Sequence, residues 1–159
     1  MYTKLKYLTY FSLIALLFTG CSKDDNDESA VAGLVDTTWV ATMTDDNPGT
    51  NPPVEEGGNV NNTYYQWKDC QMDDSFVFIK DRLTVDGNGT ACEDGAYHVF
   101  NTGSGPYSYD PETKRLEVKD GEGVFHFDVY ELNKDRLKLG TTFYNRIGSN
   151  TIIFLFKRK

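Results

Sequence analysis

The segment VFHFDVYEL, residues 124–132, alternates apolar and polar side chains with a period of two. In an extended chain this places Phe125, Phe127 and Val129 on one face and the polar residues between them on the other. Apolar residues on one side of a helix would instead recur roughly every three to four residues. The segment therefore predicts a β-strand with one buried face.

The same strand signal recurs along most of the chain. Seven further strands are predicted, most of them separated by short turns rich in Gly, Asn and Asp: 35–44, 75–79, 82–86, 106–109, 115–119, 136–144 and 151–157. The fold class is thus all-β, and an eight-stranded antiparallel up-and-down barrel satisfies the pattern without leaving exposed edges. A two-sheet β-sandwich of the same strands is the alternative.

The long insert Asp45–Gln66 interrupts this order, because it shows no alternation and is rich in Pro, Gly and Asn. It is interpreted as a loop. Joining the first two strands, it is expected to lie at the barrel mouth, where Tyr64, Tyr65 and Trp67 would reach over the opening. The alternative is a disordered acidic loop that does not contact the barrel.

A barrel of this size is either filled by side chains or holds one small ligand. Trp39 is expected to plug one end, with a cation from the last strand over its indole ring: Arg158 is the first candidate and Lys157 the second. The other candidates for lining the barrel are aromatic residues at alternate strand positions: Phe76, Phe78, Phe125, Phe127, Phe154 and Phe156. Such a lining would suit a small hydrophobic or aromatic ligand. If the rings instead pack only against one another, the barrel is filled. The protein is then expected to be a non-catalytic interaction or accessory subunit that docks a protein or glycan partner through its loops.

The first twenty residues have the pattern of an export signal. Lys4 and Lys6 precede an apolar run, 8–18, that is too short to span a bilayer, and Thr19-Gly20-Cys21 follows. This ending resembles the lipobox of bacterial lipoproteins, which implies that Cys21 is lipidated and anchors the mature chain to a membrane.

The polar stretch after the cysteine is strongly acidic. Residues 21–33 are predicted to form a solvated tether, since the run Asp24–Glu28 cannot bury enough apolar surface to fold. The run also resembles the signal that sends some Gram-negative lipoproteins to the outer face of the outer membrane. The expected location is therefore the outer membrane, with the protein lipid-anchored and facing the cell exterior.

The net charge and the number of cysteines and histidines limit the partners and the chemical activities that this chain is expected to have. The formal net charge of −8 makes nucleic acid an unfavourable partner. With Cys21 lipidated, Cys70 and Cys92 are left as a pair whose default in an exported protein is a disulfide, which thiol titration of the unreduced protein would test. No metal site, cofactor or enzymatic activity is predicted, because His98 and His126 belong to no ligand cluster or nucleophile motif.

Four stretches together resemble the bacterial lipocalin-like lipoprotein domain: Leu34–Trp39, Asp69–Phe76, Val85–Gly89 and Cys92. In that family a Trp-bearing strand opens the barrel, a Cys-x-x-Asp-Asp segment precedes an aromatic strand, and a second cysteine closes a bridge. The resemblance implies a lipocalin-like barrel over residues 34–159 that binds a small hydrophobic ligand without catalysis.

Overall fold

The computed structural model describes residues 33–54, 60–89, 103–120, 123–146 and 148–159. Two short 3-10 helices lie in the described chain, Pro48–Thr50 and Asp69–Gln71. The strands, in chain order, are β1 Thr38–Ala41, β2 Val60–Tyr64, β3 Ser75–Ile79, β4 Arg82–Asp86, β5 Gly103–Asp110, β6 Arg115–Asp120, β7 Gly123–Leu132, β8 Arg136–Asn145 and β9 Gly148–Arg158.

Eight of these strands close into an antiparallel barrel in the order β1-β3-β4-β5-β6-β7-β8-β9. Closure comes from β1 pairing back onto β9, with Trp39 opposite Arg158 and Ala41 opposite Phe156. The all-β prediction and the eight-stranded barrel are therefore confirmed, and the closing pair excludes the sandwich. Each of the eight predicted strands corresponds to one strand of the barrel.

The ninth strand, β2, lies in the segment that the sequence predicted to be a loop. The loop interpretation is wrong for Val60–Tyr64, which pairs in parallel with Ser149–Ile153 of β9. The Thr42 N–H donates to Leu155 O (3.0 Å) and the Tyr65 N–H donates to Ile153 O (2.8 Å). Because β1 is short, β2 thus continues the hydrogen bonding along the same edge of β9.

One end of the barrel is closed, and it is the end at which β1 begins. Leu34 is buried there, and Val35 forms a bridge with Phe78. Trp39 has no exposed surface, and the ring of Phe78 packs edge-to-face on Tyr107 with centroids 5.0 Å apart. Large side chains therefore fill this end, which we call the closed end.

The expected partner of Trp39 is engaged elsewhere. Arg158 is exposed, and its Nη1 donates a hydrogen bond to Lys134 O at 3.3 Å. No cation–π contact joins it to Trp39 in the described part of the chain. A guanidinium at a strand end gains more from water and a carbonyl than it would from being desolvated over a buried indole.

The first part of the insert covers the outer wall of the barrel instead of its mouth. Leu137 and Leu139 point into the core, so Lys138 between them points outward, yet it is only 2% exposed. Its Nζ donates to Asp45 Oδ1 and Oδ2 (2.8 and 2.9 Å), to Asn47 O (2.7 Å) and to Asn51 Oδ1 (2.8 Å). One buried ammonium therefore fastens residues 45–51 to the outside of β8.

Asp45 completes this buried pair as a carboxylate. Burial raises its pKa, but hydrogen bonds from Lys138, from the Tyr64 hydroxyl and from the Asn47 N–H outweigh burial, so the pKa lies below its ordinary value. The charged form is thus favoured, as a buried ammonium requires of its partner.

Candidate functional site

The barrel wall is open between β7 and β8. These strands pair from Leu132 opposite Leu137 up to Asp128 opposite Gly140. Within the described residues no pairing between them continues past that point, although β7 stays paired with β6 as far as Gly123 and β8 with β9 as far as Gly148. The two strands therefore separate over 123–127 and 141–145, and we call the resulting gap the lateral cleft.

A β-bulge lies next to the point of separation. The register shifts between Val129 and Glu131, which leaves Tyr130 as the extra residue. Its ring lies over Gly140, where an added Cβ would come within 2.3 Å of a Tyr130 ring carbon. Because bulges bend a strand and increase its twist, this one accounts for the divergence of β7 from β8.

The lateral cleft holds a cavity of about 430 Å³. Alternation along the strands divides its lining into residues that point into the barrel and residues on the rim. The inward set is mostly apolar and comprises Tyr65, Phe125, Phe127, Thr141, Phe143, Ile152 and Phe154. The rim comprises Arg115, Val124, His126, Asp128, Thr142 and Tyr144. The cleft is thus apolar inside and mainly polar where it meets solvent.

Packed rings form the bottom of the cleft. Phe154 lies 5.0 Å from Tyr65 and 5.9 Å from Phe127 between ring centroids, and these three residues are called the aromatic floor. Behind the floor, Trp67 is buried and contacts Tyr65 (4.8 Å) and Phe156 (5.4 Å). The floor is therefore supported by the core and is preformed.

Few of the rim side chains have polar partners. His126 Nδ1 lies 3.1 Å from Glu117 Oε1, and the hydroxyls of Thr142 and Thr151 are 2.9 Å apart. Arg115 of β6 stands directly opposite Asp128 of β7, but no ion pair within 4.0 Å joins them in the described chain.

Behind the rim, burial and then the negative charge of Asp128 raise the pKa of Tyr130, so its hydroxyl stays protonated at neutral pH.

On the rim itself, Tyr144 and its inward-facing neighbour Phe143 are 84% and 56% exposed. The lip of the cleft on β8 is thus formed by exposed aromatic rings.

A comparison with models of known protein families shows the family of this chain. Residues 34–139, which are 106 of the 159 residues, match the family described as the lipocalin-like domain. The chain belongs to this lipocalin-like domain family. The predicted resemblance is therefore confirmed at the level of the family. No curated protein and no solved structure matches the chain.

In this lipocalin-like domain the predicted lining residues fall into two groups. Phe125, Phe127 and Phe154 line the lateral cleft. Trp39, Phe76, Phe78 and Phe156 are buried in the core and do not line that cavity, and Arg158 lies at the closed end.

Sequence reasoning missed Tyr65 and Trp67 as interior residues. They were assigned to the end of a loop that would lie over the opening, whereas the chain turns inward directly after β2. The available signal was the aromatic density of YYQW, residues 64–67, which is unusual for a solvated loop.

Several predictions concern residues that the structure does not describe. The signal peptide, Cys21 and residues 22–32 of the acidic tether lie outside the described residues, as do Cys92 and His98. Cys70 lies in the 3-10 helix Asp69–Gln71, and its pairing with Cys92 stays a prediction.

Two further findings apply to the described residues alone. Among them, no group of three or more His, Cys, Asp or Glu side chains is placed to hold a metal ion. None of the helices found there has the length and apolar character needed to cross a membrane.

Proposed function

We propose that this lipocalin-like protein is a non-catalytic binding protein that holds a small hydrophobic ligand in the lateral cleft. The observation that supports this most directly is the cavity of about 430 Å³ above the aromatic floor. Sites for small molecules typically measure about 300–1,000 Å³ and combine an apolar lining with a few polar groups.

The contrast with the closed end strengthens the proposal. There, Trp39, Phe78 and Leu116 are buried at 0–1% exposure and fill the interior. Phe125 and Ile152 in the cleft are only partly buried, although both point inward. Apolar surface left open to water above a packed floor favours an apolar ligand, since covering it contributes about 25 cal/mol per Å².

Binding of the uncharged dye N-phenyl-1-naphthylamine tests this proposal. We expect its fluorescence to rise on binding, and Thr141→Trp to weaken its affinity by about tenfold or more, because the larger ring occupies the cavity. Thr84→Trp is the matched control, since Thr84 lies on β4 between the buried Leu83 and Val85 and points away from the interior. Absence of dye binding, or equal binding by both variants and the parent, would contradict the proposal.

We also propose that the protein is a lipoprotein whose signal peptide covers residues 1–20 and whose tether, 21–33, joins an acylated Cys21 to a domain of residues 34–159. The support is the sequence pattern, together with the position of Leu34 at the closed end. The tether would then join the barrel at the closed end, opposite to the end that carries the cleft.

Metabolic labelling with a palmitate analogue in a Gram-negative host tests the anchor. Cys21→Ser is expected to lose the label and to leave the membrane fraction, whereas Ser22→Ala keeps both properties. Unchanged labelling of Cys21→Ser would refute acylation at this residue. Protease treatment of intact cells tests on which side of the outer membrane the protein lies, because only a protein on the cell exterior is digested.

A further inference from the structure

The open side of the lateral cleft carries two charged side chains without an ion-pair partner in the described chain. Arg115 and Asp128 are cross-strand neighbours, so their Cβ atoms lie roughly 5 Å apart, yet their charged groups do not meet. The other basic rim residue, His126, is already in contact with Glu117. Arg115 is thus a basic rim residue that lines the cleft without a hydrogen bond or ion pair to the described residues.

The chemistry of Arg115 suits one class of head group. Its planar guanidinium carries five N–H donors and binds a carboxylate through two parallel hydrogen bonds. Tyr144, also on the rim and 84% exposed, carries a hydroxyl that is a further donor, whereas Asp128 offers only acceptors.

We propose that the ligand is amphipathic: its apolar body enters between β7 and β8 onto the aromatic floor, and a carboxylate at its outer end is bound by Arg115. This inference rests on the proposed function and names its ligand class. The route is lateral because 123–127 and 141–145 share no ladder hydrogen bonds that would have to break. Asp128 repels the same head group, so the two rim charges act in opposite directions on it.

Three pyrene probes that differ only in charge test the proposal: 1-pyrenebutyrate, its uncharged amide and 1-pyrenebutylamine. For Arg115→Gln we expect about tenfold weaker binding of the carboxylate and unchanged binding of the amide, since only a charge-assisted hydrogen bond is lost. For Asp128→Asn we expect binding of the carboxylate to strengthen and binding of the amine to weaken. Lys134→Gln, an exposed substitution at the closed end, should change none of these affinities.

The outcomes separate this inference from the function on which it rests. If no probe binds the parent protein, the proposed function fails. If the amide binds but Arg115→Gln affects all probes alike or none, only the carboxylate assignment fails. Preference for the amine that disappears in Asp128→Asn would overturn the assignment in favour of a cationic head group.

Discussion

Replacing Lys138 with methionine is expected to destabilise the protein by about 3–5 kcal/mol. The substitution removes the ammonium that donates to both Asp45 Oδ1 and Asn51 Oδ1. It leaves a largely buried carboxylate without its counter-charge, although the Asn47 N–H and the Tyr64 hydroxyl still donate to it. The insert then loses its attachment to the outer wall. Urea unfolding followed by circular dichroism measures the change, and the unfolding midpoint should fall with little change in slope.

Two companion variants identify the cause. Lys134→Met removes a lysine that is 84% exposed, and we expect it to change stability by no more than about 0.5 kcal/mol. Combining Asp45→Asn with Lys138→Met should recover part of the loss, because no uncompensated charge is then buried. Equal effects of Lys138→Met and Lys134→Met would show that the buried pair does not fasten the insert.

The dependence of the free energy of unfolding on pH, measured at acidic pH, is a second test of the Asp45–Lys138 pair. In the native state the pKa of Asp45 is lowered, so the unfolded chain binds its proton at higher pH than the folded chain does. The stability from Asp45 is therefore fully present above about pH 4, the range of an unperturbed Asp, and is lost as pH falls through the lower native value. Asp45→Asn should flatten this part of the curve.

The strands of the barrel could be predicted because their signal is local. A period of two, as in Val124–Leu132, requires only the residues of the strand itself. β2 could not be found in this way, since Val60–Tyr64 is polar and obtains its strand conformation by pairing with a segment about ninety residues later. Its parallel pairing depends on the shortness of β1, which is a property of the assembled barrel.

The lateral cleft was predictable only in part, because its geometry also depends on contacts between residues that are distant in sequence. Alternation correctly gave the inward direction of Phe125, Phe127 and Phe154, but it continues unbroken through the stretches where β7 and β8 separate. The separation depends on the ring of Tyr130 over Gly140, a tertiary contact. From the sequence, Lys138 likewise looks like an ordinary solvent-exposed lysine on the outer face of a strand. The residue whose carboxylate covers it, Asp45, is 93 positions away in the sequence.

Truncating Trp67 to alanine is expected to combine a large loss of stability with a change in the site. The side chain is 7% exposed and contacts Phe76, Phe156 and the aromatic floor, so its removal should cost about 3–5 kcal/mol. The space created lies directly behind Tyr65 and Phe154, and a ring that enters the cleft could extend into it. Bulky uncharged probes should therefore bind more tightly to Trp67→Ala and recover more of its thermal stability than they add to the parent.

Trp39→Ala provides the matched comparison, because Trp39 is an equally large side chain with no exposed surface at the closed end. We expect a similar loss of stability from this variant but no gain in probe affinity, since Trp39 is not among the residues that line the cleft. If both variants alter probe binding alike, general loosening of the barrel explains the effect and the floor is not a separate feature. A gain confined to Trp67→Ala would mean that the depth of the cleft is set by this one indole, whose removal converts packed core into binding volume.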